Sequence, residues 1–150
     1  ERLNRLLHRT LSNEQFVTLF YGVLDVKKGE LTYAKAGHEL PLVLRRGSGA
    51  PELLETTGPL LGLDGESRYR QICTPIGTGD TLVLYTDGFT EARRGNDFLQ
   101  VEGLASLLDE FRDDTAGDMV ESISRSVENE YGSLRDDATI LVVKSVGTGG

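Results

Sequence analysis

The sequence is poor in cysteine, in positive charge and in long apolar runs, and each shortage removes a class of protein from consideration. A single cysteine, Cys73, stands in 150 residues. No disulfide framework can form within the chain, so nothing asks for an oxidising compartment, and a cytoplasmic location is expected. Cys73 ends the strand-like run Tyr69-Arg70-Gln71-Ile72-Cys73 and reads as a small buried hydrophobe rather than a nucleophile. Lys and Arg number 16 against 24 Asp and Glu, for a formal net charge of -8. Such a chain lacks the basic face that nucleic acid or an anionic membrane would require. The surplus of carboxylates suits metal binding, and equally a plain solubilising surface. No apolar stretch approaches transmembrane length and no signal-peptide pattern opens the chain, so no membrane association is expected. Internal repeats, linkers and low-complexity blocks are also missing, which predicts one domain over residues 1–150.

What remains is the composition of a globular protein, 38% hydrophobic and 27% charged, in a chain long enough to bury a core. Leu3, Leu6, Leu7 and Leu11 recur at helical spacing, predicting an amphipathic helix to about Asn13. Its apolar face needs a surface to cover, in the chain itself or in a homodimer; His8 lies off the stripe and is expected in solvent. Phe16 to Val26 reads as a long strand, Lys27 to Glu30 as a hairpin turn, and Leu31 to Ala36 as the returning partner. A third strand is predicted over Leu40 to Arg46, with Pro41 near its start, and a short one around Leu53-Leu54. Arg68 to Cys73 and Leu82 to Tyr85 complete a run of antiparallel strands. Helical stripes follow at Leu104, Leu107, Leu108 and Phe111, then at Val120, Ile123, Val127 and Tyr131. Thr115 and Asp118 have the spacing of a capping box before the second stripe. A last strand is predicted over Thr139 to Val143. Strands first, helices after and a closing strand define an α+β layout, with helices over a largely antiparallel sheet.

The stretch that carries chemistry is Thr81 to Ala92, TLVLYTDGFTEA. A buried strand entered from a Gly-rich turn ends on Thr86-Asp87-Gly88. An acid at a strand end, followed by a glycine that permits close approach, is a way to present a carboxylate to a cleft. The alternative is that Asp87 only caps the next segment. A second acidic site, Asp136-Asp137, immediately precedes the last strand. If the two strands are antiparallel neighbours, the end of one and the start of the other share a sheet edge, and the carboxylates converge. Converging carboxylates repel unless a cation offsets them. An all-oxygen set without His or Cys points to Mg²⁺ or Mn²⁺ rather than zinc, and such ions commonly act on phosphoryl groups.

Four segments carry a family resemblance: FVTLFYGVLD (Phe16 to Asp25), LTYAKAGHELPLVLRR (Leu31 to Arg46), TLVLYTDGFTEAR (Thr81 to Arg93) and DDATILVV (Asp136 to Val143). In order and spacing the chain resembles the PP2C-type metal-dependent serine/threonine phosphatases, specifically the bacterial SpoIIE/RsbU-like branch of sporulation and sigma-factor regulators. The resemblance implies an antiparallel β-sandwich flanked by helices (an α-β-β-α arrangement) with two Mn²⁺ or Mg²⁺ ions at one edge. It assigns metal binding to Asp87 and Asp136, with Asp137 standing where relatives carry Asp or Asn. It further implies hydrolysis of phosphoserine or phosphothreonine by metal-activated water, without a catalytic serine or cysteine of the protein. The implied substrate is a phosphorylated regulatory protein of the anti-sigma-factor antagonist type, in stress-response signalling.

The chain departs from the pattern in lacking the Asp-x-x-Gly-His-Gly motif whose aspartate bridges both metals. It is therefore expected to represent the C-terminal two-thirds of such a domain, N-terminally incomplete. That departure sustains a second reading, a truncated or degenerate phosphatase fold serving as a non-catalytic interaction module. His38, in the Gly37-His38 turn, is expected either to hold the turn before Pro41 by a ring-to-backbone hydrogen bond or to contact substrate phosphate. Gly88 is a candidate for close approach of substrate. Arg93 and Arg94 either steer an anionic phosphoprotein or form solvated surface.

Overall fold

The computed structural model describes residues 1–12, 14–132 and 137–147. The chain divides into two compact units interleaved in sequence, Glu1–His38 with Glu55–Ile76, and Glu39–Leu54 with Gly77–Gly150.

The first unit combines helix α1 (Arg2–Thr10) with strands β1 (Leu19–Asp25), β2 (Glu30–Ala36) and β5 (Ile72–Pro75). The strands form an antiparallel sheet in the order β1-β2-β5, and β1 and β2 are the predicted hairpin. Its turn begins one residue earlier than expected. Asp25 Oδ1 accepts the amides of Lys27 and Lys28, both at 3.0 Å, and Gly29, at φ +65°, returns its amide to the Asp25 carbonyl. This local closure leaves Val26 in the turn, almost fully exposed. The predicted strand is also shorter at its start, for Phe16 is exposed and Val17 pairs only in a bridge to Leu61.

Helix α1 docks differently from its leucine pattern. Its buried residue is Asn4, whose amide donates to the Asp64 carbonyl at 2.8 Å and whose Oδ1 accepts the Gly62 amide at 2.9 Å. His8, expected in solvent, has Nδ1 2.9 Å from the Gly62 carbonyl although its ring remains largely exposed. The physical reason is the loop beneath: buried backbone groups must find partners, and Asn4 and His8 supply them. Leu7 and Leu11 pack near Gly62, while Leu3 and Leu6 stay exposed. Cys73 is likewise a correction. It is exposed, because β5 is an edge strand on which Cys73 and Pro75 alternate outward while Ile72 and Thr74 are half-buried.

The second unit holds the site. Its main sheet runs β4 (Glu52–Leu53), β3 (Leu42–Leu44), β6 (Thr81–Tyr85) and β9 (Ile140–Lys144), every pair antiparallel. The short helix α2 (Asp87–Thr90) follows β6; then come the ribbon β7 (Arg93–Arg94) and β8 (Asp97–Phe98), and helices α3 (Gln100–Glu110) and α4 (Ala116–Tyr131). Register puts Leu42, Val83 and Val142 on one sheet face, with Tyr85 opposite Ile140 on the same side. There they meet Phe89, Leu104, Leu108, Met119, Ile123 and Val127 in one core. Burying such side chains stabilises the unit by about 1.5–3 kcal/mol each. The second helical stripe is thus Met119, Ile123 and Val127, with Val120 only half-buried. Thr115 is the N-cap as predicted, accepting the Asp118 amide at 3.2 Å.

The predicted strand Leu40 to Arg46 shrinks to Leu42–Leu44 because Arg45 and Arg46 are drawn to Asp80. The nearly buried Asp80 carboxylate accepts the Arg46 and Gly77 amides, each at 2.9 Å, and Arg45 Nη1 at 3.0 Å. Burial alone would raise this carboxyl, but the two amides and the Arg45 guanidinium outweigh it and hold it below the ordinary carboxylate range. Among the described residues no helix is long and apolar enough to cross a membrane.

Candidate metal and phosphoryl site

The site is built at one end of the β6–β9 pair. Backbone pairing runs from Thr81–Lys144 to Tyr85–Ile140, so β6 ends where β9 begins. Asp87 is the first residue of α2, directly beyond β6, and Asp137 lies three residues before β9. The antiparallel convergence expected from the sequence is therefore realised in the main chain. Asp136 lies outside the described residues.

Local contacts fix the two segments against each other. Thr86 N donates to the Thr139 carbonyl at 3.0 Å, Thr139 N donates to Thr86 Oγ1 at 2.9 Å, and that hydroxyl donates to the Asp137 carbonyl at 3.3 Å. The turn of α2 is closed by the Glu91 amide on the Asp87 carbonyl at 2.7 Å. Gly88 is buried against the other segment: a Cβ built there would lie 2.7 Å from the Asp137 carbonyl oxygen and 3.0 Å from Ala138 Cα. Its missing side chain thus serves packing between α2 and the segment before β9. Asp87 and Asp137 are themselves exposed, so solvent and a ligand have access to both.

These donors fit a hard divalent cation in kind, being carboxylates at one strand edge. In number they fall short, since no group of three His, Cys, Asp or Glu close enough to hold an ion occurs among the described residues. Beneath the site Tyr85 is buried, and its hydroxyl has no hydrogen-bond partner among the described residues. Burial, with smaller effects from Glu39 and Glu102, pushes its pKa up to about 12.

The remaining candidates lie elsewhere. His38, in the first unit, is half-buried, and its Nδ1 is 3.3 Å from Thr18 Oγ1. The expected ring-to-backbone bond is thus a ring-to-hydroxyl contact. Gly37 before it has φ +61° with Leu60 packed over its Cα, so no larger residue fits that turn. Arg93 and Arg94 are exposed on β7, and Arg94 pairs with Glu130 at 3.5 Å. Sequence reasoning missed Thr86, although it stands inside the Tyr-Thr-Asp-Gly segment.

A model of the family described as Stage II sporulation protein E (SpoIIE) matches residues 1–146. The chain belongs to the SpoIIE family. It is 32% identical over 145 residues to the phosphoserine phosphatase RsbU of Bacillus subtilis (strain 168), a match spanning 96% of this chain and 43% of that relative. The SiaA-PP2C domain of Pseudomonas aeruginosa superposes with a TM-score of 0.80 at 20% identity, covering 94% of this chain and 57% of that one. The Mn-presoaked phosphatase domain of SpoIIE from Bacillus subtilis gives 0.70 at 15% identity, covering 89% and 58%. At these identities the structural likeness establishes the fold, which is that of PP2C phosphatase domains: mixed helices and antiparallel sheet, as the α+β pattern predicted. The chain spans less than half the length of RsbU.

Proposed function

We propose that this SpoIIE-family chain forms part of a divalent-metal-dependent protein phosphatase, acting in the cytoplasm on phosphoserine or phosphothreonine of a regulatory protein. The observation that carries the reading is the meeting of Asp87 and Asp137 at one edge of the β6–β9 pair. Family membership and the name of its relative RsbU, a phosphoserine phosphatase, support it. The phosphorylated partner we assign is of the anti-sigma-factor antagonist class.

In this reading the carboxylates of Asp87 and Asp137 hold Mn²⁺ or Mg²⁺, and Asp136 is assigned to the same set. A bound ion supplies Lewis-acid activation of water and neutralises charge developing on phosphoryl oxygens. The protein's own share is positional. Thr86 and Gly88 fix the approach of the two acidic segments, and exposure of both carboxylates leaves room for a protein substrate to present its phosphorylated side chain. Arg93, exposed on β7, offers an anionic phosphoprotein a cation in an otherwise acidic molecule.

The test is release of inorganic phosphate from a phosphoserine protein in Mn²⁺, comparing the native sequence with Asp87→Asn. A loss of at least about a hundredfold is expected from deleting a charge of the metal set. A second reading, the non-catalytic interaction module, draws on the lack of a three-residue donor cluster among the described residues. It predicts a phosphoprotein bound without turnover, equally well by both proteins, and that outcome would replace the enzyme reading.

A further inference from the structure

We propose that Thr86 is a positioning residue for the acidic pair, its hydroxyl setting the main-chain separation between Asp87 and Asp137. The inference rests on the metal-site reading above and extends it to a side chain assigned no contact with ion or substrate.

Thr86 occupies the N-cap of α2, where a threonine hydroxyl ordinarily accepts an amide from the first turn of its own helix. Here it makes no such bond. The hydroxyl turns instead to the neighbouring strand, accepting from Thr139 N at 2.9 Å and donating to the Asp137 carbonyl at 3.3 Å. With Thr86 N on the Thr139 carbonyl at 3.0 Å, the β6–β9 ladder is carried one step past Tyr85–Ile140, where regular pairing ends. A side-chain oxygen thereby does what the next backbone carbonyl would do, while freeing the main chain to turn into α2 at Asp87.

Gly88 limits the same approach by packing. Its bare Cα faces the Asp137 carbonyl and Ala138 so closely that a methyl group there would overlap both. Attraction from the Thr86 hydroxyl and contact at Gly88 together fix where the Asp137 main chain lies relative to Asp87. The bridge has a purpose in the metal-free protein. A neutral hydrogen-bonded tie holds the backbones of Asp87 and Asp137 in place before a cation arrives. Outer groups that orient metal ligands in this way typically change metal affinity by about 10–100-fold when removed.

The test compares Mn²⁺ affinity by calorimetry for the native chain, Thr86→Val, Thr86→Ser and Asp87→Asn, with amide hydrogen exchange of the metal-free proteins. Thr86→Val keeps the branched shape and loses the hydroxyl; it is expected to weaken Mn²⁺ binding at least about tenfold. Thr86→Ser keeps the hydroxyl and is expected to stay close to native. The Thr139 amide should be protected like those of Leu141 and Val143, which face β6 in the same alternating ladder, in the native and Ser forms, and exchange freely in the Val form. Native-like Mn²⁺ binding by Thr86→Val, or equal losses in Val and Ser, overturns the proposal. If Thr86→Val fails to fold, the native and Ser forms decide: rapid exchange at Thr139 in both overturns it, and protection in both upholds it. If Asp87→Asn leaves Mn²⁺ affinity unchanged, the underlying metal reading falls and takes this inference with it. Weakening by Asp87→Asn but not by Thr86→Val removes the inference alone.

Discussion

Replacing Gly88 by alanine places two opposing effects in one residue. Gly88 lies in the helical turn Asp87–Thr90 with no positive φ, so alanine is conformationally allowed there. On propensity alone the change would stabilise the turn by about 1 kcal/mol. The space argues the other way. The new Cβ would meet the Asp137 carbonyl oxygen at 2.7 Å and Ala138 Cα and Cβ at 3.0 Å each. Two of those three atoms are main chain, which cannot rotate aside, so the segment before β9 must retreat by roughly half an ångström or more to restore contact distance. Overpacking of this kind costs about 1–3 kcal/mol, which outweighs the propensity gain and leaves a net loss of up to about 2 kcal/mol. For a chain of this size that corresponds to a Tm lower by up to about 8 °C. The same retreat separates Asp137 from Asp87, so Mn²⁺ affinity should fall as well. Gly117→Ala is the control, because a Cβ there meets nothing within 4 Å and the residue sits in the first turn of α4. It should hold or raise Tm. Thermal denaturation of both variants, with Mn²⁺ titrations, reads the outcome. A Gly88→Ala protein as stable and as metal-competent as Gly117→Ala would refute the packing argument.

Two further predictions concern stability. Asp80 has a carboxyl held below its ordinary range, so its contribution is fully present above the unfolded value near pH 4 and is lost as pH falls through the folded value. Asp80→Asn should therefore cost about 1–3 kcal/mol at pH 7 by urea denaturation, and the gap to native should close as pH drops below about 4; a constant gap contradicts the assignment. Tyr85→Phe removes a buried hydroxyl that has no partner among the described residues and should leave stability unchanged or raise it by up to about 1 kcal/mol. With its pKa at about 12, above the unfolded value near 10, native Tyr85 also disfavours folding as pH rises past 10, a loss the variant should lack. A clear destabilisation by Tyr85→Phe at pH 7 would show that the hydroxyl is hydrogen-bonded.

What could be read in the sequence was what depends on local pattern. The apolar run Leu82 to Tyr85 forms an inner strand and the closing run from Ile140 its neighbour at the sheet edge, and their antiparallel pairing made the meeting of Asp87 with Asp137 foreseeable. The cap at Thr115 was equally local. The misreadings at α1, Cys73, Leu42–Leu44 and Thr86 depend on a partner distant in the chain. The leucine stripe of α1 suggested which face would be buried, but the loop at Gly62–Asp64 demanded hydrogen-bond partners, and Asn4 took the buried place. Cys73 reads as core until β5 is known to be an edge strand. The strand at Leu42 loses its C-terminal arginines to Asp80, 34 positions away from Arg46. Thr86 was hidden for the same reason: before an Asp-Gly turn a threonine looks like an N-cap, and only the cross-strand geometry shows its hydroxyl spent on Thr139 and Asp137.

The central claim is that Asp87 and Asp137 together bind a divalent ion, and calorimetric titration of Mn²⁺ into the native chain, Asp87→Asn and Asp137→Asn tests it most directly. The account predicts measurable binding by the native protein and at least about a tenfold weakening in each variant, because each removes one charge from a shared site. Equal affinities in all three proteins, or no binding by any at millimolar Mn²⁺, would make the two carboxylates features of a turn and contradict the account.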